Sequence, residues 1–138
     1  MQMAFYGFAN GACRHTLNLA LDAWVLYSLA EYLVSSGAVC LGPATNNIAE
    51  YKAVIGLLTE VTSQDVHNQV VLMDSQLVVC HINHVYTIRN PILLHLFRRV
   101  CLLERSFETI IYRSIPREHN VVADSLDNYI LDWHIAHS

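Results

Sequence analysis

The run Val70-Val71-Leu72-Met73-Asp74-Ser75-Gln76-Leu77-Val78-Val79 constrains the fold more than any other stretch. Four apolar residues stop at a lone carboxylate, and the apolar pattern then resumes. β-branched enrichment over four consecutive apolar positions suits a strand covered on both faces, so the stretch predicts strand, turn, helix. In open α/β sheets ligands gather beyond the carboxyl ends of the strands, which places Asp74 for chemistry. The competing reading makes Asp74 the N-cap of the following helix, its oxygen accepting a backbone N–H. The other carboxylates of the chain decide between the two.

A chain of 138 residues is the size of one domain, so we expect residues 1–138 to form a single unit. Apolar residues make up 54% and charged residues 14%, which excludes disorder, and the apolar runs break well short of a membrane span. The first residues, Met1-Gln2-Met3-Ala4-Phe5, lack the basic region and apolar core of an export signal, which predicts a soluble intracellular protein, in cytoplasm or nucleus. Cys13, Cys40, Cys80 and Cys101 are far apart and form no Cys-x-x-Cys pair, so buried free thiols are expected. His81 and His84 lie beside Cys80, but no second cluster exists to complete a zinc site. The formal charge is −4, with seven arginines and the single Lys52, which is weak electrostatics for a protein meeting a polyanion.

In chain order, Met3 to Phe8 reads as a first strand running into a bend or bulge at Asn10-Gly11. Leu19 to Ser28 and Tyr32 to Leu41 read as further strands, joined by short connections into an antiparallel meander. A bulge is expected near Ser35-Ser36-Gly37. Thr45 is a suitable N-cap for a helix whose core face is Ile48, Tyr51, Ile55 and Leu58. Asn46 and Glu50, four apart, project from one face of its first turns, where a carboxylate also complements the helix dipole. After the strand ending at Asp74 comes a helix that breaks near Asn83-His84. Asn90-Pro91 then opens another, with Ile92, Leu93, Leu96, Val100 and Leu103 as its apolar stripe. Phe107 to Arg113 reads as the last strand, and Asn120 caps a terminal helix carrying Asp124. The order three strands, helix, strand, two helices, strand, helix predicts an α/β fold, a mixed sheet flanked by helices. A right-handed crossover puts the fourth strand beside the first and brings Asn10 near Asp74.

Read together, Thr45-Asn46-Asn47-Ile48-Ala49-Glu50-Tyr51, Asp74-Ser75-Gln76-Leu77-Val78 and the stretch from Ile115 through Arg117-Glu118-His119-Asn120 to Asp124 resemble the type 1 ribonuclease H family. The resemblance covers nearly the whole chain. It is nearest to the compact branch of bacterial, archaeal and plant retroelement proteins, since the stretch from His81 to Pro91 leaves no room for a basic protruding helix. It implies a ribonuclease H-like mixed five-stranded sheet, three antiparallel strands followed by two parallel ones. It also implies cleavage of the RNA strand of an RNA/DNA hybrid by carboxylates around two Mg²⁺ ions, with Mn²⁺ as the alternative. Hard cations of this kind take carboxylate and water oxygens.

The resemblance assigns Glu50 and Asp74 as metal ligands, with Asp124 completing the acidic wall. Alignment of Gly11-Ala12-Cys13 with the family's Asp-Gly-Ala-Ser turn puts Asn10 where the first catalytic aspartate belongs. A carboxamide keeps the shape and loses the charge. At an effective dielectric near 20 the missing attraction is on the order of 4 kcal/mol per close charge pair, worth several decades of rate or metal affinity. The asparagine is either a natural lapse or a deliberate change that traps substrate uncut. Ser114 stands where the family often has a proton-transfer histidine, and His119, five residues on, is the substitute within reach. Asn46 and Gln76 match residues that read the minor groove of the hybrid, where the 2′-hydroxyls distinguish RNA from DNA. Ser75 adds a backbone contact and Arg14 a phosphate contact. Low basicity suggests that a reverse transcriptase or another part of a parent polyprotein supplies affinity. The alternative to an active nuclease is a catalytically silent domain that binds hybrid or a protein partner, and a third reading is a different nuclease of the same superfold.

Overall fold

The computed structural model describes residues 4–14, 19–28, 33–42, 45–64 and 67–116. Three strands come first: β1 (Ala4–Arg14), β2 (Leu19–Ser28) and β3 (Leu33–Gly42). Helix α1 (Asn46–Ser63) follows, then β4 (Asn68–Met73), the short α2 (Gln76–Ile82), α3 (Pro91–Glu104) and β5 (Thr109–Ser114). They form one five-stranded sheet in the order β3-β2-β1-β4-β5. The meander β1-β2-β3 is antiparallel, while β4 pairs parallel to β1 and β5 parallel to β4. This is the expected crossover arrangement. The expected terminal helix, with Asn120 as its cap, lies outside the described residues.

Strand alternation explains how the sheet meets α1. Phe5, Gly7, Ala9 and Gly11 share one face of β1, and the register Phe5↔Gln69, Gly7↔Val71, Ala9↔Met73 puts the buried residues of β4 on the same face. On that face lie Tyr51, Ala53, Val54, Leu57, Leu58 and Val61 of α1, all fully buried. Val70 and Leu72, on the other face of β4, are only half-buried, so the fourth strand is not covered equally on both sides as its continuous apolar run suggested.

Several local expectations are corrected. β1 does not bend or bulge at Asn10-Gly11. Its pairing with β2 runs unbroken from Phe5↔Ser28 to Arg14↔Leu19. Glycine is used there for close approach, since a Cβ on Gly11 would overlap the backbone of Ala49 and Glu50. The bulge expected in β3 near Ser35-Ser36-Gly37 is present and falls just before them, at position 34, where Leu26↔Ser35 is followed by Tyr27↔Leu33; a second irregularity lies at position 41, and Gly37 makes room for the Trp24 ring. Ile92 is exposed, leaving Leu93, Leu96 and Val100 as the buried stripe of α3. Cys80 and Cys101 are free thiols but half-buried rather than buried.

The helix starts follow side-chain chemistry. Thr45 accepts the Ile48 N–H at 3.3 Å, and Asn90 accepts those of Ile92 and Leu93 at 2.9 and 3.2 Å, with Pro91 in the first turn. No described helix is long and apolar enough to cross a membrane.

Candidate active site

The site forms where β4 stops and β1 continues. Ala9↔Met73 is the last registered pair of the parallel ladder, so Asn10 and Asp74 are each the next residue along neighbouring chains. Asn10 lies in the interior of β1, opposite Ala23 of β2, and not at a strand end as expected; β1 outruns its parallel neighbour there. The third residue arrives through Gly11. Because that position has no side chain, α1 lies directly on the strand backbone, and the peptide of Glu50 sits against the residue that follows Asn10. Asn10, Glu50 and Asp74 are thereby gathered by three elements, a middle strand, the second turn of a helix and a strand end.

Burial sharpens this. Asn10 is 2% exposed and Glu50 6% exposed, and Asn10 Oδ1 and Glu50 Oε2 are both sealed from solvent. Placing a carboxylate in such a position is costly, and chains keep one where it is paired, hydrogen-bonded or set beside a cation. Asp74 is half-buried. It is not the cap of α2. That role belongs to Ser75, whose Oγ accepts the Val78 N–H at 3.4 Å and whose carbonyl accepts the Val79 N–H at 3.1 Å. The capping alternative for Asp74 is overturned because the next residue does the work.

The oxygen donors Asn10, Glu50 and Asp74 suit a hard divalent cation in kind, though one of the three is uncharged. Among the described residues no group of three His, Cys, Asp or Glu side chains forms a metal cluster. Asn10 adds no carboxylate, and Asp124 lies outside the described residues. His119 also lies outside them. Arg14 ends β1, but its side chain is not described. Ser114 is in register with Met73 at the end of β5, and Ile115 N–H donates to the Met73 carbonyl at 2.7 Å, so β5 ends beside the same strand end as Asp74. Asn46 and Gln76, the first residues of α1 and α2, are both exposed.

The family described as Reverse transcriptase-like matches residues 8–129. The crystal structure of RNase H1 from the halophilic archaeon Halobacterium salinarum superposes with a TM-score of 0.89 at 31% identity, covering 94% of this chain and 98% of that one. The chain belongs to the type 1 ribonuclease H family. Ribonuclease HI of Halobacterium salinarum is 32% identical over 127 residues, 92% of this chain and 64% of the relative. The N-terminal RNase H domain of rv2228c from Mycobacterium tuberculosis, solved as a fusion with maltose binding protein, gives a TM-score of 0.93 at 28% identity, with 99% of each chain covered. The bifunctional protein Rv2228c itself is 37% identical over 92 residues, and this chain spans a quarter of its length. LC11-RNase H1, solved in complex with RNA/DNA hybrid, is 26% identical with a TM-score of 0.88, covering 95% of this chain and 99% of that one.

Two features of this chain were not legible in its sequence. Asn10-Gly11 has the composition of a bend, but a glycine directly after a site residue within an alternating strand is also the signal for a close backbone approach. The second is a buried link between His81 Nδ1 and the Tyr51 hydroxyl, 3.1 Å apart. Tyr51 follows Glu50 immediately, and at the sequence level it was only a core residue.

Proposed function

We propose that residues 1–138 form a single ribonuclease H domain built to cleave the RNA strand of an RNA/DNA hybrid, and that Asn10 depresses its activity. The observation that carries this reading is the gathering of Asn10, Glu50 and Asp74 at the end of the β1–β4 ladder, with Gly11 bringing α1 onto the strand. The relative LC11-RNase H1 was solved with such a hybrid, which supports the substrate class. Glu50 and Asp74, with Asp124, would hold divalent ions, Mg²⁺ or Mn²⁺, at Asn10. When bound, such ions activate a water and stabilise the leaving 3′ oxygen.

The chain's own residues do the rest. Exposed Asn46 and Gln76 flank the site on the first turns of two helices and carry amide groups for the minor groove and its 2′-hydroxyls. Arg14 would meet a phosphate and Ser75 would contact the backbone, while His119 would carry protons in place of the missing histidine at Ser114. With seven arginines and one lysine, affinity for a polyanion is weak, which supports assistance from another segment of a larger protein, and this chain spans only a quarter of the bifunctional relative.

Fluorescence anisotropy of the unaltered chain on a hybrid and on a DNA duplex of the same sequence, at one salt concentration, tests the substrate class. Tighter binding to the hybrid, weakened by Gln76→Ala and Asn46→Ala, is expected. Equal affinity for both duplexes contradicts the reading. The second reading, a silent hybrid-binding domain, is favoured by Asn10 itself, and it predicts the same binding with no cleavage in any background.

A further inference from the structure

We propose that Tyr51 and His81 are positioning residues, a buried polar pair that fixes the helix carrying Glu50 relative to the segment carrying Asp74. The inference rests on the functional reading above and concerns how the two carboxylates keep their spacing. Tyr51 is fully buried on α1 and His81 is 7% exposed on α2. Their rings lie nearly parallel, 22° apart with centroids at 6.2 Å, and the Tyr51 hydroxyl is 3.1 Å from His81 Nδ1.

The placement of this pair is what matters. Tyr51 is covalently next to Glu50. At the other end, Ser75 follows Asp74 and caps α2 with both its side chain and its carbonyl, so the seven-residue α2 is a short rigid lever from Asp74's neighbour to His81. At about 1.5 Å per residue that lever is roughly 9 Å long. The apolar contacts of α1, from Ala53 to Val61, are non-directional and permit small rotations of the helix over the sheet. A hydroxyl–imidazole bond has a preferred length and angle, and it restricts such rotation at the turn that bears Glu50. Part-buried polar links also hold both helices at their far ends, Ser35 Oγ donating to Glu60 Oε1 at 3.1 Å near the end of α1 and Asn83 Nδ2 donating to the Tyr112 carbonyl at 3.1 Å at the C-cap of α2, whereas the Tyr51–His81 bond acts at the turn that bears Glu50.

The chemistry of the pair suits a fixed strut. A hydroxyl and a neutral imidazole each carry a donor and an acceptor, so the pair closes one hydrogen bond in either tautomer, and burial, which lowers the His81 pKa, keeps the imidazole neutral. Removing one member leaves the other with a buried, unsatisfied polar atom.

The test is made in the Asn10→Asp background, reading Mg²⁺ affinity by calorimetry and stability by thermal unfolding. Tyr51→Phe keeps the ring and removes the hydroxyl; His81→Phe keeps the stack and removes the ring nitrogen. Each is expected to weaken Mg²⁺ binding at least fivefold. The double variant should be no weaker than the worse single one, because one bond is lost in all three. His81→Asn, whose amide approximates Nδ1, should recover most of the affinity. Mg²⁺ affinity within twofold of the parent in folded Tyr51→Phe overturns the inference, as does full additivity of the two losses. Should His81→Phe not fold, Tyr51→Phe and His81→Asn decide alone. Absence of Mg²⁺ uptake in Asn10→Asp with Tyr51 and His81 intact overturns the functional reading and this inference with it.

Discussion

Replacing Gly11 by alanine should damage the protein through backbone overlap, and its size can be worked from the contacts. A Cβ at this position would meet the Ala49 carbonyl carbon, the Glu50 amide nitrogen and the Ala49 Cβ. Two of the three are helix backbone, which cannot swing aside as a side-chain tip can, so α1 must lift off β1 at its second turn. Overpacking of this kind costs about 1–3 kcal/mol. A Gly→Ala change also reduces the entropy of the unfolded chain, which offsets about 0.4–1 kcal/mol. The net expectation is a loss of about 1–2 kcal/mol, or roughly 3–8 °C in Tm for a chain of this size. Gly7→Ala is the internal comparison, because its new Cβ meets the Leu57 methyls and the Gln69 amide, all side-chain atoms that can move. Thermal unfolding followed by circular dichroism measures both. A Gly11→Ala protein as stable as the parent, or no less stable than Gly7→Ala, refutes the claim that the strand and helix backbones are in forced contact.

Three further outcomes are expected. Asn90→Ala removes the acceptor of two N–H groups at the start of α3 and should cost about 1 kcal/mol in a urea titration, whereas Thr45→Ala, with one longer bond, should cost less. Burial lowers the His81 pKa from its ordinary 6.5, so the unfolded chain binds the proton more readily than the folded one. Stability is then full above about pH 6.5 and declines as the pH falls toward the folded value, and His81→Asn should flatten that part of the pH–stability curve. Hybrid binding should weaken only shallowly with added salt, since few basic residues replace counterions, and a steep slope in an anisotropy series would reveal a missed basic face.

Much of this was legible in the chain because the signals were local. The β-branched run ending at Asp74, the caps Thr45 and Asn90, and the handedness of the crossover led to the sheet order and the adjacency of Asn10 and Asp74. What was not legible depends on contacts distant in sequence. Asn10-Gly11 has the composition of a bend, and only the arrival of α1 some forty residues later shows that the glycine is there for a helix to rest on. Ser75 and Asp74 are both good caps by residue type, and the turn geometry selects Ser75. His81 beside Cys80 and His84 suggested metal chemistry or nothing. Its partner is instead a tyrosine thirty residues upstream, and His84 lies beyond the end of α2 with a left-handed φ of 62°.

The central claim, that this is a hybrid nuclease whose first carboxylate is missing, is tested most directly by Asn10→Asp. Asn10 is buried, precedes the glycine on which the Glu50 backbone rests, and lies one residue past the ladder pair whose other strand leads into Asp74, so a charge restored there acts where water is excluded and electrostatic effects are large. Cleavage of a labelled RNA strand in a hybrid, with Mg²⁺ present and with it chelated, should appear or rise by several decades in Asn10→Asp and vanish again on adding Asp74→Asn. A folded Asn10→Asp protein that binds hybrid and leaves the RNA intact contradicts the account and makes the silent binding domain the better description.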